Sequence, residues 1–249
     1  MTTIQFIDVT KSYKHIGHTT LKRSLVGDFS TLGYGRSSAI EGISFNIKAG
    51  ESLGIVGFNG SGKTTLLKLA LGLMEPDKGS IVRPQPRLIG SMLSLEAGFH
   101  PDFSGIENIK FKCALAGLSK SEVMRSIERI VSFAELEDCI FDPLRTYSAG
   151  MSARLAFSIM ISFDWSIILI DEVLAVGDLR FQEKCRNVLL AYVNSGGSLL
   201  VVSHNPEFLG RICTKGIWLK GGFAEIQGEI SKVVSGYQMA VNAAKLDTV

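Results

Sequence analysis

No two of the four cysteines, Cys113, Cys139, Cys185 and Cys213, stand at C-x-x-C spacing. That absence excludes a disulfide frame and a cysteine zinc site, and it predicts reduced, mostly buried thiols of a cytosolic protein. The N-terminus, Met1-Thr2-Thr3-Ile4-Gln5, lacks the charged-then-apolar order of a secretory signal. The most apolar stretch, Leu155 to Ile170, is broken by Asp164 and is too short to cross a bilayer. If this protein works at a membrane, another chain must supply the spans. Net charge is only +2, so no global field points to nucleic acid as a partner. There is no internal repeat and no low-complexity segment.

What remains is an ordinary globular composition. The 249 residues suit one α/β domain with an inserted subdomain, or at most two small domains, and can bury a large core. Mean hydropathy is +0.24, on the high side for a soluble chain, which points to apolar contact surfaces with partners.

One stretch carries chemistry. Gly57-Phe58-Asn59-Gly60-Ser61-Gly62-Lys63-Thr64 fits G-x-x-x-x-G-K-[ST], a phosphate-binding P-loop. Residues 51–56 before it read as a buried strand. Thr65 to Leu71 after it read as a helix with Leu66, Leu67 and Ala70 on the inner face. Glycines there let backbone N–H groups turn inward around phosphate oxygens at the positive end of a helix. Lys63 then reaches the β- and γ-phosphates, and the Thr64 hydroxyl binds Mg²⁺. The bland alternative is a Gly-rich turn before a helix; the flanking pattern argues against it.

Further along, Ile4 to Val9 and Ala39 to Ile47 alternate as strands, and Ser80 to Val82 is a short one. Leu21 to Val26 reads as a short amphipathic helix. Ser119 and Glu122 have capping-box spacing and open a helix with Val123, Ile127, Ile130 and Ala134 on one face. A second helix is predicted from about Gly150 to Phe163, so residues 91–164 read as a helical insertion. Val233 to Leu246 reads as a final short helix.

The runs Ser166–Asp171 and Ser198–His204, apolar until their polar ends, suit parallel strands buried on both faces. Ligands of open α/β sheets sit at the carboxyl ends of such strands, where Asp171, Glu172 and His204 fall. Asp171 can hold Mg²⁺, usually through water. Glu172 can act as general base or position the attacking water. His204 can hydrogen-bond the γ-phosphate. An acidic pair can also merely begin a surface loop, and a lone histidine can be structural; the P-loop earlier in the chain favours the site.

The order P-loop, helical insertion, Ser-x-Gly, acidic strand end, histidine resembles an ATP-binding cassette (ABC) ATPase over essentially the whole chain. Tyr147-Ser148-Ala149-Gly150-Met151 occupies the family's signature position, where most members read Leu-Ser-Gly-Gly-Gln. The resemblance implies a P-loop NTPase (RecA-like) α/β core with an antiparallel β subdomain and an inserted α-helical subdomain. The core would span 1–90 and 165–249, and the helical subdomain 91–164. ATP and Mg²⁺ are the implied cofactors. Gly57, Asn59, Gly60, Ser61, Gly62, Lys63, Thr64 and Thr65 would hold ATP, with Tyr13 stacking on adenine. Thr64 and Asp171 would hold the metal. Lys63, Glu172 and His204 would act in hydrolysis. Ser148 and Gly150 would bind the γ-phosphate held by a second copy, and Asp178 would cross the dimer.

The wording narrows further. Arg154-Leu155-Ala156-Phe157 after the signature, and Phe181-Gln182 with Lys184-Cys185 after Asp178, resemble ATPase subunits of bacterial polysaccharide exporters. The long segment between Tyr13 and Ala39 fits their extra N-terminal helix. Phe99-His100-Pro101 with Ser104 and Glu107-Asn108-Ile109 resembles their permease-facing loop. The resemblance implies a homodimer on the cytoplasmic face of the bacterial inner membrane, beneath an integral membrane permease, with lipid-linked polysaccharide of the O-antigen, capsule or teichoic acid kind as cargo. Where the family usually has a Gln, the chain reads Met92-Leu93-Ser94-Leu95-Glu96, so Ser94 or Glu96 takes its place. After Ile230 there is no room for the carbohydrate-binding domain that larger exporters add. Basic Lys14, Lys22, Arg23 and Arg36 either touch lipid phosphates or belong to a solvated loop. The competing readings are another transporter's ATPase, a soluble ABC ATPase and a non-catalytic binding module.

Overall fold

The computed structural model describes residues 2–15, 35–85, 88–92, 98–171 and 178–246. Three strands form an antiparallel sheet in the order β2-β1-β4: β1 (Thr2–His15), β2 (Gly35–Lys48) and β4 (Lys78–Val82). Both long strands outrun their predicted spans. Simple alternation fails within β1, because Phe6 and Val9 are both buried three residues apart. A register shift between them resolves this, with Asp8 at φ 49 and its N–H donating to Ser44 Oγ at 2.9 Å. The extra residue turns Val9 back to the core, where Phe6 stacks on Phe45 at 4.4 Å.

The second sheet has six strands in the order β5-β6-β7-β3-β8-β9. They are β3 (Ser52–Val56), β5 (Ile89–Met92), β6 (Ile167–Asp171), β7 (Leu199–Val202), β8 (Lys215–Lys220) and β9 (Phe223–Glu229). All pairings are parallel except β8 with β9. β3 and β7 are buried throughout, as their continuous apolar runs require. One face packs Ile55, Leu169, Val202 and Ile217 against β1, β2 and helix α1 (Lys63–Leu71). The other packs Ile168, Val201 and Trp218 against helices α5 (Leu179–Asn194), α6 (Pro206–Ile212) and α7 (Ile230–Leu246).

Helices α2 (Gly105–Leu115), α3 (Lys120–Ala134) and α4 (Ala149–Met160) share a separate core around Ile109, Ile130 and Leu155. Ser119 and Glu122 form the expected capping box of α3. A second box, Ser104 with Glu107, opens α2, so half of the segment read as a permease-facing loop is a helix start. α4 stops three residues before the expected Phe163. The Met160 carbonyl there accepts the Trp165 indole N–H at 2.6 Å. α7 starts earlier than expected, at Ile230. The predicted helix at Leu21–Val26 lies outside the described residues. No helix among the described residues is long and apolar enough to cross a membrane.

Candidate functional site

β3 runs between β7 and β8, so the chain leaving Val56 emerges at the carboxyl edge of the parallel strands. The loop that follows is shaped by close approach. A Cβ on Gly57 would sit 2.3 Å from the Leu219 carbonyl oxygen. At Gly62, which has φ 105, a Cβ would sit 2.2 Å from the Ala39 carbonyl oxygen. Gly60 needs no space but has φ 77, which side chains rarely adopt. The loop is therefore pinned between β2 on one side and the β8–β9 turn on the other, where Gly222 N–H donates to Ser61 O at 3.2 Å.

Gly62 caps α1 without a side chain, so no side-chain oxygen occupies the helix N-terminus. Lys63 is buried and its ammonium donates to Gly57 O at 2.7 Å and Phe58 O at 3.0 Å, arching over the loop. Ser61 Oγ is buried with no hydrogen-bond partner among the described residues. This cradle, a helix N-terminus with no side-chain cap beside a fixed cation, suits an anion.

A cleft of ≈ 390 Å³ opens above this cradle. Asn59, Gly60, Gly62, Lys63, Thr64 and Thr65 line one wall. Asp171 and His204 close its end from the neighbouring strand tips. Asp171 ends β6 opposite Val202, and His204 follows β7 by two residues. Ser203 N–H donates to Ile55 O at 3.2 Å, and Asn205 Oδ1 caps α6 through Phe208 N at 3.0 Å, so His204 is held between two fixed neighbours. Tyr13 stands at the far rim, half-exposed, its hydroxyl 3.3 Å from Thr65 Oγ1.

Ser37, Ser38 and Ala39 also line the cleft, and sequence reasoning missed them. Their only signal was the strand pattern starting at Ala39; the register that pairs Tyr13 with Ser37 brings them there. Gly57 and Ser61 support the loop from below and do not line the cleft. Glu172 lies outside the described residues, as do Ser94 and Glu96.

Three predicted residues sit elsewhere. Ser148 caps α4, its Oγ accepting Met151 N–H at 3.2 Å, and is exposed, with Gly150 in the helix's first turn. Asp178 caps α5, its Oδ1 accepting Phe181 N–H at 2.9 Å. None of the three lines the cleft of its own chain. α4 and α5 are instead tied together at Glu135, the left-handed C-cap of α3 (φ 57). Its carboxylate takes Lys184 at 2.9 Å and Arg154 at 3.6 Å. Phe133, Phe157 and Phe181 pack beneath these charges. Among the described residues no group of three or more His, Cys, Asp or Glu could hold a metal ion. Burial pushes the Cys113 and Cys185 thiols up to about 12, which makes both inert.

The family model described as ABC transporter matches residues 40–175, more than half of the chain. The chain belongs to the ABC transporter family. An O-antigen export system ATP-binding protein (RfbB) of Klebsiella pneumoniae is 39% identical over 96% of this chain and 98% of its own length. A teichoic acids export ATP-binding protein (TagH) of Bacillus cereus is 35% identical over 95% of this chain but only 42% of its own length. Among solved structures, a dimeric ATP-binding cassette in a post-hydrolysis state bound to ADP and Pi (MJ0796) superposes with a TM-score of 0.74 at 23% identity, covering 91% of this chain and 98% of that one. The ATP-binding subunit of an ABC transporter superposes with a TM-score of 0.75 at 18% identity, over 95% and 93%. Both share the ABC ATPase fold described above.

Proposed function

We propose that this ABC ATPase hydrolyses ATP to drive export of lipid-linked polysaccharide through a membrane permease. One observation carries the catalytic reading: Lys63, Thr64, Asp171 and His204, from three separate segments, converge on one cleft at the sheet's carboxyl edge. The cargo is inferred from O-antigen and teichoic acid export relatives aligned over nearly the whole chain.

The β- and γ-phosphates of ATP rest on the backbone N–H groups of Gly60 to Thr65, and Lys63 neutralises them. Tyr13 stacks on the adenine. The Thr64 hydroxyl and the Asp171 carboxylate face the same cleft, and hard oxygens of this kind suit Mg²⁺. Held there, Mg²⁺ would supply positive charge against the triphosphate. Water attacks the γ-phosphorus in line; the bond to the bridging oxygen breaks, giving ADP and phosphate. Glu172 takes the water's proton, and His204 holds the γ-phosphate oxygens. This work is positioning and charge stabilisation, with no covalent intermediate.

Ser148 and Gly150 stand at the start of α4, where Ser148 is exposed, and neither lines its own cleft. On this reading they complete the cleft of a second copy, so that ATP joins two subunits and hydrolysis releases them. The dimer sits at the cytoplasmic face of the bacterial inner membrane, beneath its permease, with no nucleic acid involved. Deleting the gene tests the cargo: lipid-linked glycan should accumulate inside the cell while surface glycan disappears. Normal surface polysaccharide would remove the cargo and leave the ATPase standing.

A further inference from the structure

Phe58 is the P-loop residue whose side chain leaves the cradle. Its ring is half-exposed, yet one face meets the buried Tyr237 of α7, with centroids 5.5 Å apart. Tyr237 is backed in turn by Trp218 of β8, 6.2 Å away and edge-on. Beyond these rings, Phe58, Asn59, His204 and Tyr237 line a common cleft of ≈ 380 Å³ that shares Asn59 with the nucleotide cleft. His204 borders both clefts. A single helix thus touches the loop's second residue and shares a wall with the histidine at the site's end.

α7 cannot slide freely to make this contact. A Cβ on Gly54, in the strand that feeds the P-loop, would lie 3.2 Å from Ile230 Cδ1. One on Gly216 would lie 2.7 Å from the same atom. One on Gly236 would lie 2.4 Å from Ile226 Cδ1. Close packing at three glycines fixes the helix against β3, β8 and β9, at its start and next to Tyr237.

We infer that Tyr237 is a positioning residue for the nucleotide site: it buttresses Phe58, and through Phe58 it holds the Asn59–Gly60 turn that receives phosphate. This rests on the nucleotide reading of the cleft. Tyr237 acts through its ring contact with Phe58. Its effect falls on how tightly nucleotide is held, because the turn it braces lies under the phosphates while Lys63 keeps its own hydrogen bonds to the loop. The outer helix α7 then acts as a handle on nucleotide affinity.

The test is binding of a fluorescent ADP analogue to the full chain, wild type against Tyr237→Ala, Phe58→Ala and the double variant. Aromatic pairs of this kind predict that each single change weakens binding roughly 3- to 10-fold. The double variant should be no weaker than the worse single one, since both remove the same contact. Tyr237→Phe keeps the ring against Phe58 and should bind more tightly than Tyr237→Ala; equal weakening by the two would overturn the ring contact as the cause. Val233→Ala, in the same helix but away from the loop, should lower thermal stability without weakening ADP binding. If Tyr237→Ala does not fold, Phe58→Ala alone still decides, because that ring is half-exposed. Additive losses, unchanged affinity in Phe58→Ala, or equal weakening by Val233→Ala overturn the inference. Failure of the wild type to bind ADP at all overturns the nucleotide reading itself.

Discussion

The Lys184 ammonium lies 2.9 Å from Glu135 Oε1 and also donates to Phe133 O at 2.9 Å, joining the start of α5 to the end of α3. Arg154 of α4 approaches the second oxygen of the same carboxylate. The residues whose wording set this chain apart in sequence, Arg154, Phe157, Phe181 and Lys184, therefore meet at one clasp. It fixes the helix that begins at Ser148 against the helix that begins at Asp178.

That clasp should titrate. The hydrogen bond from Lys184 holds the Glu135 carboxyl below the usual carboxylate range, against the opposing effect of partial burial, helped by the charges of Lys184, Arg180 and Arg154. A carboxylate with a lowered folded pKa stabilises above its unfolded value and loses that contribution as pH falls through the folded one. We predict that the thermal midpoint of the wild type falls more steeply with acid, below about pH 4.3, than that of Glu135→Gln. Near neutral pH the two should differ by a small amount, since the pair is partly exposed. Parallel pH profiles would remove Glu135 from the clasp.

Gly62→Ala should be among the most damaging single changes to the loop. The left-handed φ alone costs on the order of 1–3 kcal/mol for a residue with a side chain. The added carbon would also overlap the Ala39 carbonyl, which borders the nucleotide cleft. Urea unfolding should show reduced stability, and ADP binding should be lost. Gly60→Ala meets only the φ cost, because nothing surrounds it, and should be milder. Equal effects of the two changes would contradict the pinned loop.

Lys63→Ala should abolish ATPase turnover, since no other described lysine lines the cleft. Glu172→Gln should still bind ATP and accumulate a closed dimer, visible as a shift in elution volume when ATP is added. Undiminished turnover in the first variant refutes the P-loop role. Absence of the dimer in the second refutes the base assignment.

Ser148→Arg should be inactive by itself. Mixed with Lys63→Ala, it should recover ATPase activity, because a dimer of the two variants keeps one site with both Lys63 and Ser148 intact. Activity that stays at the level of the two parents counts against sites shared between copies.

The site was legible where chemistry demands fixed spacing. Gly57 to Thr64, Asp171 and His204 announce themselves because a phosphate cradle and strand-tip polar groups tolerate few alternatives. Ser37 to Ala39 did not, since a serine in a strand carries no mark of what its partner strand touches; only the pairing of Tyr13 with Ser37 reveals it. β6 and β7 read clearly as doubly buried runs. β9 did not, because its mostly exposed residues mix Glu, Gln, Gly and Phe and owe their conformation to β8. The Glu135 clasp joins positions 49 residues apart and has no local pattern. Tyr237 looked like one apolar residue of a helix, and its contact with Phe58 depends on how α7 crosses the sheet.

The strand order carries a consequence for synthesis. β3 leaves the ribosome early, but both its partners come late: Ser52 pairs with Leu199 and Leu53 with Lys215. At roughly 5–20 residues per second, a strand destined for full burial waits on the order of ten seconds for its neighbours. The β1–β2 hairpin can form at once and shelter one face. The nascent chain nevertheless holds the P-loop sequence long before it holds a P-loop. Nucleotide can first be gripped only once Lys215 to Trp218 has been made, so grip on ATP doubles as a readout that both strands flanking β3 have been synthesised.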